Sequence, residues 1–162
     1  MMKIFLSLFV IFFLAACTNE ASFEDRSAQL PDDIKDDILI PSKLLSDKYT
    51  VDFGYTSEPV NNPNGKIVLS YLIYADENSD WNITLNTFHN PSSPSNEYKN
   101  SETVKLKNGT EATYSETKDG LQRAILWTGN EITHEISLIE NPERSKPIYT
   151  KEEFLDVVNS LK

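Results

Sequence analysis

The chain contains one cysteine, Cys17, so it cannot form an intramolecular disulfide. It has two histidines, His89 and His134, and a zinc site would need at least one further ligand beside them. Its five glycines show neither G-x-G-x-x-G nor Walker spacing, and no G-x-S-x-G elbow presents a serine nucleophile. The sequence therefore predicts no catalytic residue, no metal site and no cofactor, and we expect the protein not to be an enzyme.

Long apolar runs are also scarce. The one such run covers residues 4–16, contains Ser7 as its single polar residue, and follows Lys3. It is shorter than the roughly 20 apolar residues that a permanent transmembrane helix needs. A short apolar core behind a positive charge is typical of a signal peptide. We therefore expect residues 1–16 to be removed.

The run ends in Leu14, Ala15, Ala16 and Cys17, which have the form of a bacterial lipobox. The cysteine sulfur of such a motif takes a diacylglyceryl group, and two acyl chains give stable attachment because each buried methylene contributes about 0.8 kcal/mol. The motif predicts that Cys17 is lipidated, that palmitate-like chains anchor it, and that the domain lies at the outer face of the bacterial cell membrane. An ordinary secretory signal with a chance cysteine is the alternative.

Basic residues are few: 15 Lys and Arg stand against 25 Asp and Glu, which gives a net charge of −10. This balance argues against nucleic acid as a partner and against adhesion to anionic lipid, because both favour a basic face. Attachment to the membrane is therefore expected through the lipid anchor. A protein, a peptide or a small apolar ligand remains as the expected partner.

The mature chain divides into a tether and one domain. Residues 17–37 are polar and acidic, which is typical of a linker behind a lipidated cysteine. The stretch DDIKDD, residues 32–37, lacks the spacing of a calcium loop, so we interpret it as a charged segment or a frayed helical turn. Residues 38–162 are predicted to form a single α+β domain.

Three segments in the first half of this domain have strand patterns: residues 48–55, 66–74 and 81–88. The second is apolar on both faces, which places it in the middle of a sheet. The first alternates with period two, so it is predicted to be half-buried. The predicted inner face of that first strand comprises Tyr49, Val51, Phe53 and Tyr55.

The second half contains three hairpin signals, at Asn108-Gly109, at Asp119-Gly120 and at residues 128–130, so four strands in up-and-down order are expected. A capping box of Thr150 and Glu153 starts a terminal helix. Its apolar stripe is predicted to comprise Phe154, Leu155, Val158 and Leu161. The predicted fold is α+β: a mostly antiparallel meander sheet of about six or seven strands, with this helix on one face and a short helix near residues 41–47. A closed barrel and a sandwich are the alternatives.

Several of these segments together resemble a family of uncharacterised domains in lipoproteins of Gram-positive bacteria. The family also forms the extracytoplasmic part of some membrane-bound anti-sigma-factor-like regulators. The resemblance covers about residues 38–162, and it implies a membrane-anchored extracytoplasmic module with a sensing or regulatory role. The segments that carry it are IPSKLLSDKYTVD, KIVLSYLIY, VKLKNGTEATYSE, LQRAILWTGNEITHEISL and YTKEEFLDVVNSLK.

Aromatic side chains are the remaining candidates for a binding site. Tyr98 lies in a Pro-, Ser- and Asn-rich loop, residues 89–100, and is the best candidate for an exposed contact. Trp81 and Trp127 are expected in the core, with an aromatic groove on one sheet face as the alternative. We therefore expect a binding or regulatory module of unknown ligand. A carrier or sensor of an apolar ligand held between sheet and helix is the alternative, and a wall-directed enzyme is a weaker one.

Overall fold

The computed structural model describes residues 32–59, 65–90 and 100–162. The signal peptide, Cys17 and Tyr98 lie outside these residues, so the predictions made for them stay predictions. Within the described part of the chain, no helix has the length and apolar character needed to cross a bilayer.

Seven antiparallel strands form one sheet, and its strand order is β1-β2-β3-β7-β6-β5-β4. A helical turn, α1, precedes the sheet, and a helix, α2, follows it. The predicted α+β fold with a C-terminal helix is confirmed. The strands are β1 (Tyr49–Glu58), β2 (Lys66–Asp76), β3 (Trp81–Phe88), β4 (Asn100–Lys105), β5 (Glu111–Glu116), β6 (Gln122–Gly129) and β7 (Ile132–Glu140), and the helices are α1 (Asp32–Lys35) and α2 (Lys151–Val158).

The sheet consists of two meanders that meet at its centre. Strands β1 to β3 form the first and β4 to β7 the second, and β3 pairs with β7 from Trp81↔Glu140 to Phe88↔Thr133. Because β4 lies at the far side of the sheet from β1, the chain crosses from the centre to that side between β3 and β4. Strands β1 and β4 are the outermost described strands, so the described sheet is open rather than a closed barrel.

The turns follow the predicted turn chemistry. Gly109 and Gly120 have φ angles of 91° and 73°, a region that glycine enters without steric cost. Gly129 pairs with Ile132, which leaves a two-residue hairpin loop of Asn130 and Glu131. Both loop residues have positive φ, at 51° and 68°, as a type I′ turn requires.

The core lies on one face of the sheet. Its centre comprises Leu72, Ile83, Leu85, Ile125, Ile136 and Leu138, all fully buried. Helix α2 covers this face with Phe154, Val157 and Val158, so the predicted stripe is correct at its first and third positions. Leu155 and Leu161 are only partly buried. Leu161 lies beyond the helix, which ends at Val158.

The capping box that starts α2 is present as predicted. The backbone N–H of Glu153 donates to the Thr150 hydroxyl, and the N–H of Thr150 donates to the Glu153 carboxylate at 2.7 Å. These two bonds satisfy donors that the first helical turn cannot pair internally.

Residues 37–48, which we call the N-terminal segment, cover the rest of the core face. The short helix predicted near residues 41–47 is wrong, because this segment is irregular with several bends, and Pro41 forms a bridge with Leu161. Ile40 and Lys162 exchange backbone hydrogen bonds of 3.1 and 3.2 Å, and the N–H of Ser42 donates to the carbonyl of Ser160. The backbone is therefore satisfied by a neighbouring chain segment instead of a helix.

The stretch DDIKDD contains a short helix, α1, in agreement with the interpretation of this stretch as a helical turn. Ile34 of this turn packs against the core, so the described structure reaches further towards the N-terminus than residue 38.

Strand β1 departs most from its predicted pattern. Of the four side chains predicted to form a half-buried face, Phe53 is buried, whereas Tyr49, Val51 and Tyr55 are 40, 38 and 44% exposed. β1 is the outermost described strand on its side, and of these four side chains only that of Phe53 is covered. The result is an exposed apolar row along β1.

Candidate functional site

Polar and aromatic side chains form a row across the core face near one end of the sheet. Ser70 of β2 pairs with Thr87 of β3, Thr87 pairs with His134 of β7, and His134 pairs with Trp127 of β6. His89, just after β3, and Asp37, in the N-terminal segment, complete the group. We call Asp37, Ser70, Thr87, His89 and His134 the histidine cluster.

The pairing of β2 with β3 positions His89 in this cluster. A β-bulge shifts the pairing of β1 with β2 between Thr56↔Leu69 and Ser57↔Ile67, so Val68 has no partner on β1. The carbonyl of Val68 accepts a hydrogen bond of 2.9 Å from the backbone N–H of His89. This bond continues the β2–β3 ladder beyond Leu69↔Phe88, and because side chains alternate along a strand, His89 lies on the same face as Thr87 and Ser70.

Asp37, His89 and Ser70 are arranged in the order of a catalytic triad. The Ser70 hydroxyl lies 2.9 Å from Nε2 of His89, and a carboxylate oxygen of Asp37 lies 3.5 Å from Nδ1. The same order of groups activates serine nucleophiles. Sequence reasoning missed it because the three residues come from separate elements and share no spacing pattern.

Burial argues against hydrolysis at this triad. Ser70 is only 1% exposed and lies in β2 between β1 and β3, so a substrate carbonyl has no path to its hydroxyl in this conformation. A nucleophile must contact the reacting carbon. The three groups are therefore best understood as a polar contact between the N-terminal segment and the sheet, in which Asp37 faces the imidazole of His89 and Ser70 bonds its other nitrogen.

His134 lies deeper in the cluster. Its Nδ1 lies 3.3 Å from the Thr87 hydroxyl, and its ring stacks on that of Trp127 with centroids 5.3 Å apart at an interplanar angle of 26°. Burial lowers the pKa of His134 below its ordinary value, and the nearby Asp37 raises this pKa while His89 lowers it further. His134 is therefore neutral at neutral pH.

Trp127 also lines a small cleft beside the C-terminal end of α2. The cleft has a volume of about 120 Å³. Because an apolar cavity of roughly 150 Å³ holds benzene, this space fits one group the size of a side chain. The other residues that line it are Leu39, Leu106, Asn108, Val158, Asn159 and Leu161.

The two tryptophans proposed as contact residues do not lie together. Trp81 pairs with Glu140 at the opposite end of the β3–β7 ladder from His134, and it is fully buried under the core layer. Trp127 lines the cleft described above. The third proposed contact residue, Tyr98, lies outside the described residues.

A buried ion pair at that opposite end has a structural role. Arg123 donates to Glu140 at 3.2 Å, with both side chains nearly inaccessible to solvent. The second carboxylate oxygen of Glu140 accepts from the backbone N–H groups of Ile148 and Tyr149. Glu140 therefore holds the connection between β7 and α2 against the sheet.

The described ranges, 32–59, 65–90 and 100–162, contain no group of three or more His, Cys, Asp or Glu residues placed to hold a metal ion. No protein-family model, no curated protein and no solved structure matches the chain. The case for a function therefore depends on the residues themselves.

Proposed function

We propose that the protein is a membrane-anchored extracytoplasmic lipoprotein that acts as a binding or regulatory module. The observation that carries this proposal is the lipobox ending in Cys17 behind a short apolar run. The resemblance to a family of lipoprotein and anti-sigma-factor-like domains supports the same location. The small domain would then be held near the outer face of the membrane by a short acidic linker.

Substitution of Cys17 tests the anchor. The Cys17→Ser chain should leave the membrane fraction and lose label from radioactive palmitate, because no other cysteine can be acylated. Thr18→Ala, one residue further on, is the matched control and should stay at the membrane with its label. Retention of Cys17→Ser in the membrane at an unchanged mature mass would contradict the proposal.

The cleft beside Trp127 supports the binding part of the proposal. Five of its lining residues are apolar, and the other two, Asn108 and Asn159, carry amide side chains. Apolar surface with a few polar groups is the usual composition of a ligand site. At about 120 Å³ the cleft fits one protruding side chain of a peptide or protein better than a whole cofactor.

The packing between sheet and helix offers no support for a carrier of an apolar ligand. Phe154 and Val157 of α2 are fully buried against Leu85 and Ile136 in the same core cluster. An acyl chain would have to displace these side chains. A wall-directed enzyme has the Ser70–His89–Asp37 arrangement in its favour, but the burial of Ser70 weighs against it.

Thermal unfolding in the presence of ligand candidates tests the cleft. A ligand at 100 times its Kd stabilises a folded protein by about 2.7 kcal/mol, which gives a measurable rise in Tm. Peptides, wall glycan fragments and short fatty acids are the three classes to compare.

Leu39→Glu places a charge in the cleft and should abolish the rise in Tm. Ile40→Glu, on the exposed neighbouring residue, should preserve it. An equal rise in both variants would show that the ligand binds elsewhere.

A further inference from the structure

We propose that the histidine cluster is a proton-responsive tie that holds the N-terminal segment on the sheet, closed with one proton and opened by a second. Asp37 is the contribution of the N-terminal segment to this tie, and Ser70, Thr87, His89 and His134 belong to the sheet side. The physiological meaning rests on the proposed extracytoplasmic location, where the surroundings set the pH. The mechanism itself can be tested in solution.

The closed tie has a natural place for one proton. With His89 protonated, Nδ1–H faces the Asp37 carboxylate at 3.5 Å, and Nε2–H donates to the Ser70 hydroxyl at 2.9 Å. A positive charge on His89 is then paired with the negative charge of Asp37, and Nε2 is within hydrogen-bond distance of Ser70. Charge-assisted contacts of this kind favour the closed segment.

The closed tie has no comparable site for a second proton. Of the described groups, the charges that act on His134 are Asp37 and His89, so one carboxylate faces two imidazoles. Thr87 and Trp127, which contact the His134 ring, carry no charge. Glu135 follows His134 on the strand and therefore points to the other face of the sheet. A charged His134 would be buried beside a charged His89.

Opening of the N-terminal segment would relieve this repulsion. It separates Asp37 from the sheet, admits water to both imidazoles and breaks the pairing of Ile40 with Lys162. It also displaces Leu39, which lines the cleft beside Trp127. The tie would thereby connect the proton concentration outside the cell to the shape of the cleft.

The number of bound protons sets the size of the effect. The closed tie binds one proton at most, and the open one binds two once the pH is below the ordinary histidine range. Opening therefore takes up one proton, so the opening equilibrium constant should rise by up to about tenfold per pH unit in mild acid.

Native-state hydrogen exchange on the full chain in detergent micelles measures this constant directly. The amides of Ile40 and Lys162 report on the segment because each is bonded to the other residue's carbonyl. Between pH 7 and pH 4.5, corrected for intrinsic exchange, their opening constant should increase in the wild type. In His134→Phe, which retains a ring against Trp127, the increase should be lost.

The matched control is Asp47→Asn, which removes an exposed carboxylate from the same segment and should behave like the wild type. The proposal would be overturned if the opening constant of the wild type did not change with pH. It would also be overturned if the constant rose equally in His134→Phe as the pH is lowered. If His134→Phe does not fold, NMR titration of the two histidine rings in the wild type decides. Two well-separated steps support the tie, and coincident titrations overturn it.

Since these measurements need neither Cys17 nor membrane attachment, failure of the tie and failure of the proposed anchor are distinguishable. A pH-independent tie in a correctly lipidated protein would leave the lipoprotein proposal intact. A pH-dependent tie in a protein that is never lipidated would leave the tie intact and remove its proposed location.

Discussion

Phe154 is the side chain whose removal should most directly test how the core is built. It belongs to a helix of eight residues, α2, which is too short to be stable alone and depends on its packing. The side chain is 0% exposed, and its neighbours Val157 and Val158 hold the helix in place on the sheet. A cavity left by Phe154→Ala therefore cannot collapse easily.

The expected loss follows from that burial. Phe-to-Ala changes in rigid cores cost about 3–5 kcal/mol, and we expect the upper half of this range for Phe154→Ala. A small domain has a total stability of about 5–15 kcal/mol, so the variant should remain folded but unfold at much lower urea concentration. The change should appear in the midpoint, with the slope m nearly unchanged.

Urea unfolding followed by tryptophan fluorescence is the assay, because Trp81 and Trp127 are both buried in the folded protein. The matched control is Ile148→Ala, whose side chain is 43% exposed and which should change stability by less than about 0.5 kcal/mol. A loss of less than about 1 kcal/mol in the free energy of unfolding of Phe154→Ala would refute the reasoning, since removal of a side chain from the centre of a close-packed core costs more than this.

Three further predictions concern charge and capping. Arg123→Met leaves Glu140 buried without its cation and should cost about 3–5 kcal/mol in urea unfolding at pH 7, whereas a loss below about 1 kcal/mol would mean that the pair is hydrated. Thr150→Ala removes the N-cap of α2 and should cost about 1 kcal/mol by the same assay, with no loss expected if the Glu153 bond to the backbone suffices. Because burial places the pKa of His134 below its unfolded value of 6.5, the unfolded state binds more protons. The stability of the wild type relative to His134→Phe is therefore fully present above that value and should fall in acid by at most about 1.4 kcal/mol per pH unit. Urea unfolding of both proteins from pH 7.5 to pH 5 measures this difference. A relative stability of the wild type that rises in acid would contradict the assignment.

Local signals predicted much of the secondary structure correctly. Asn108-Gly109, Asp119-Gly120 and the loop after Gly129 are turns because their residues enter the left-handed region at low cost. The capping box of Thr150 and Glu153 starts α2 because it satisfies backbone donors within four residues. These features depend on neighbours in the sequence, so they could be predicted.

The errors arose where a residue's environment depends on distant parts of the chain. The period-two pattern of β1 is real, yet Tyr49, Val51 and Tyr55 are exposed because the strand lies outermost among the described ones. Residues 41–47 contain good helix formers, yet they form no helix, and Ser160 accepts from the backbone N–H groups of Ser42 and Lys43. Neither the position in the sheet nor the pairing partner is encoded in a short window of sequence.

The candidate site shows the same division. Trp127 could be proposed as a contact residue from its type alone, but its cleft depends on α2, the β4–β5 turn and the N-terminal segment meeting there. The Asp37–His89–Ser70 connection was missed because its members lie 33 and 19 positions apart in the chain and come from three elements. A triad of this kind is recognised by geometry.

The sequence by itself determined the strand and helix periods, the turn positions, the cap of α2 and the prediction of a lipid anchor at Cys17, because each of these depends on residues close together along the chain. The tertiary structure decided the order of the strands, the irregular path of the N-terminal segment, the exposed row on β1 and the histidine cluster. The physical reason is that side-chain burial and cross-strand contacts are set by which distant segments pack together, and the core face selects that arrangement as a whole.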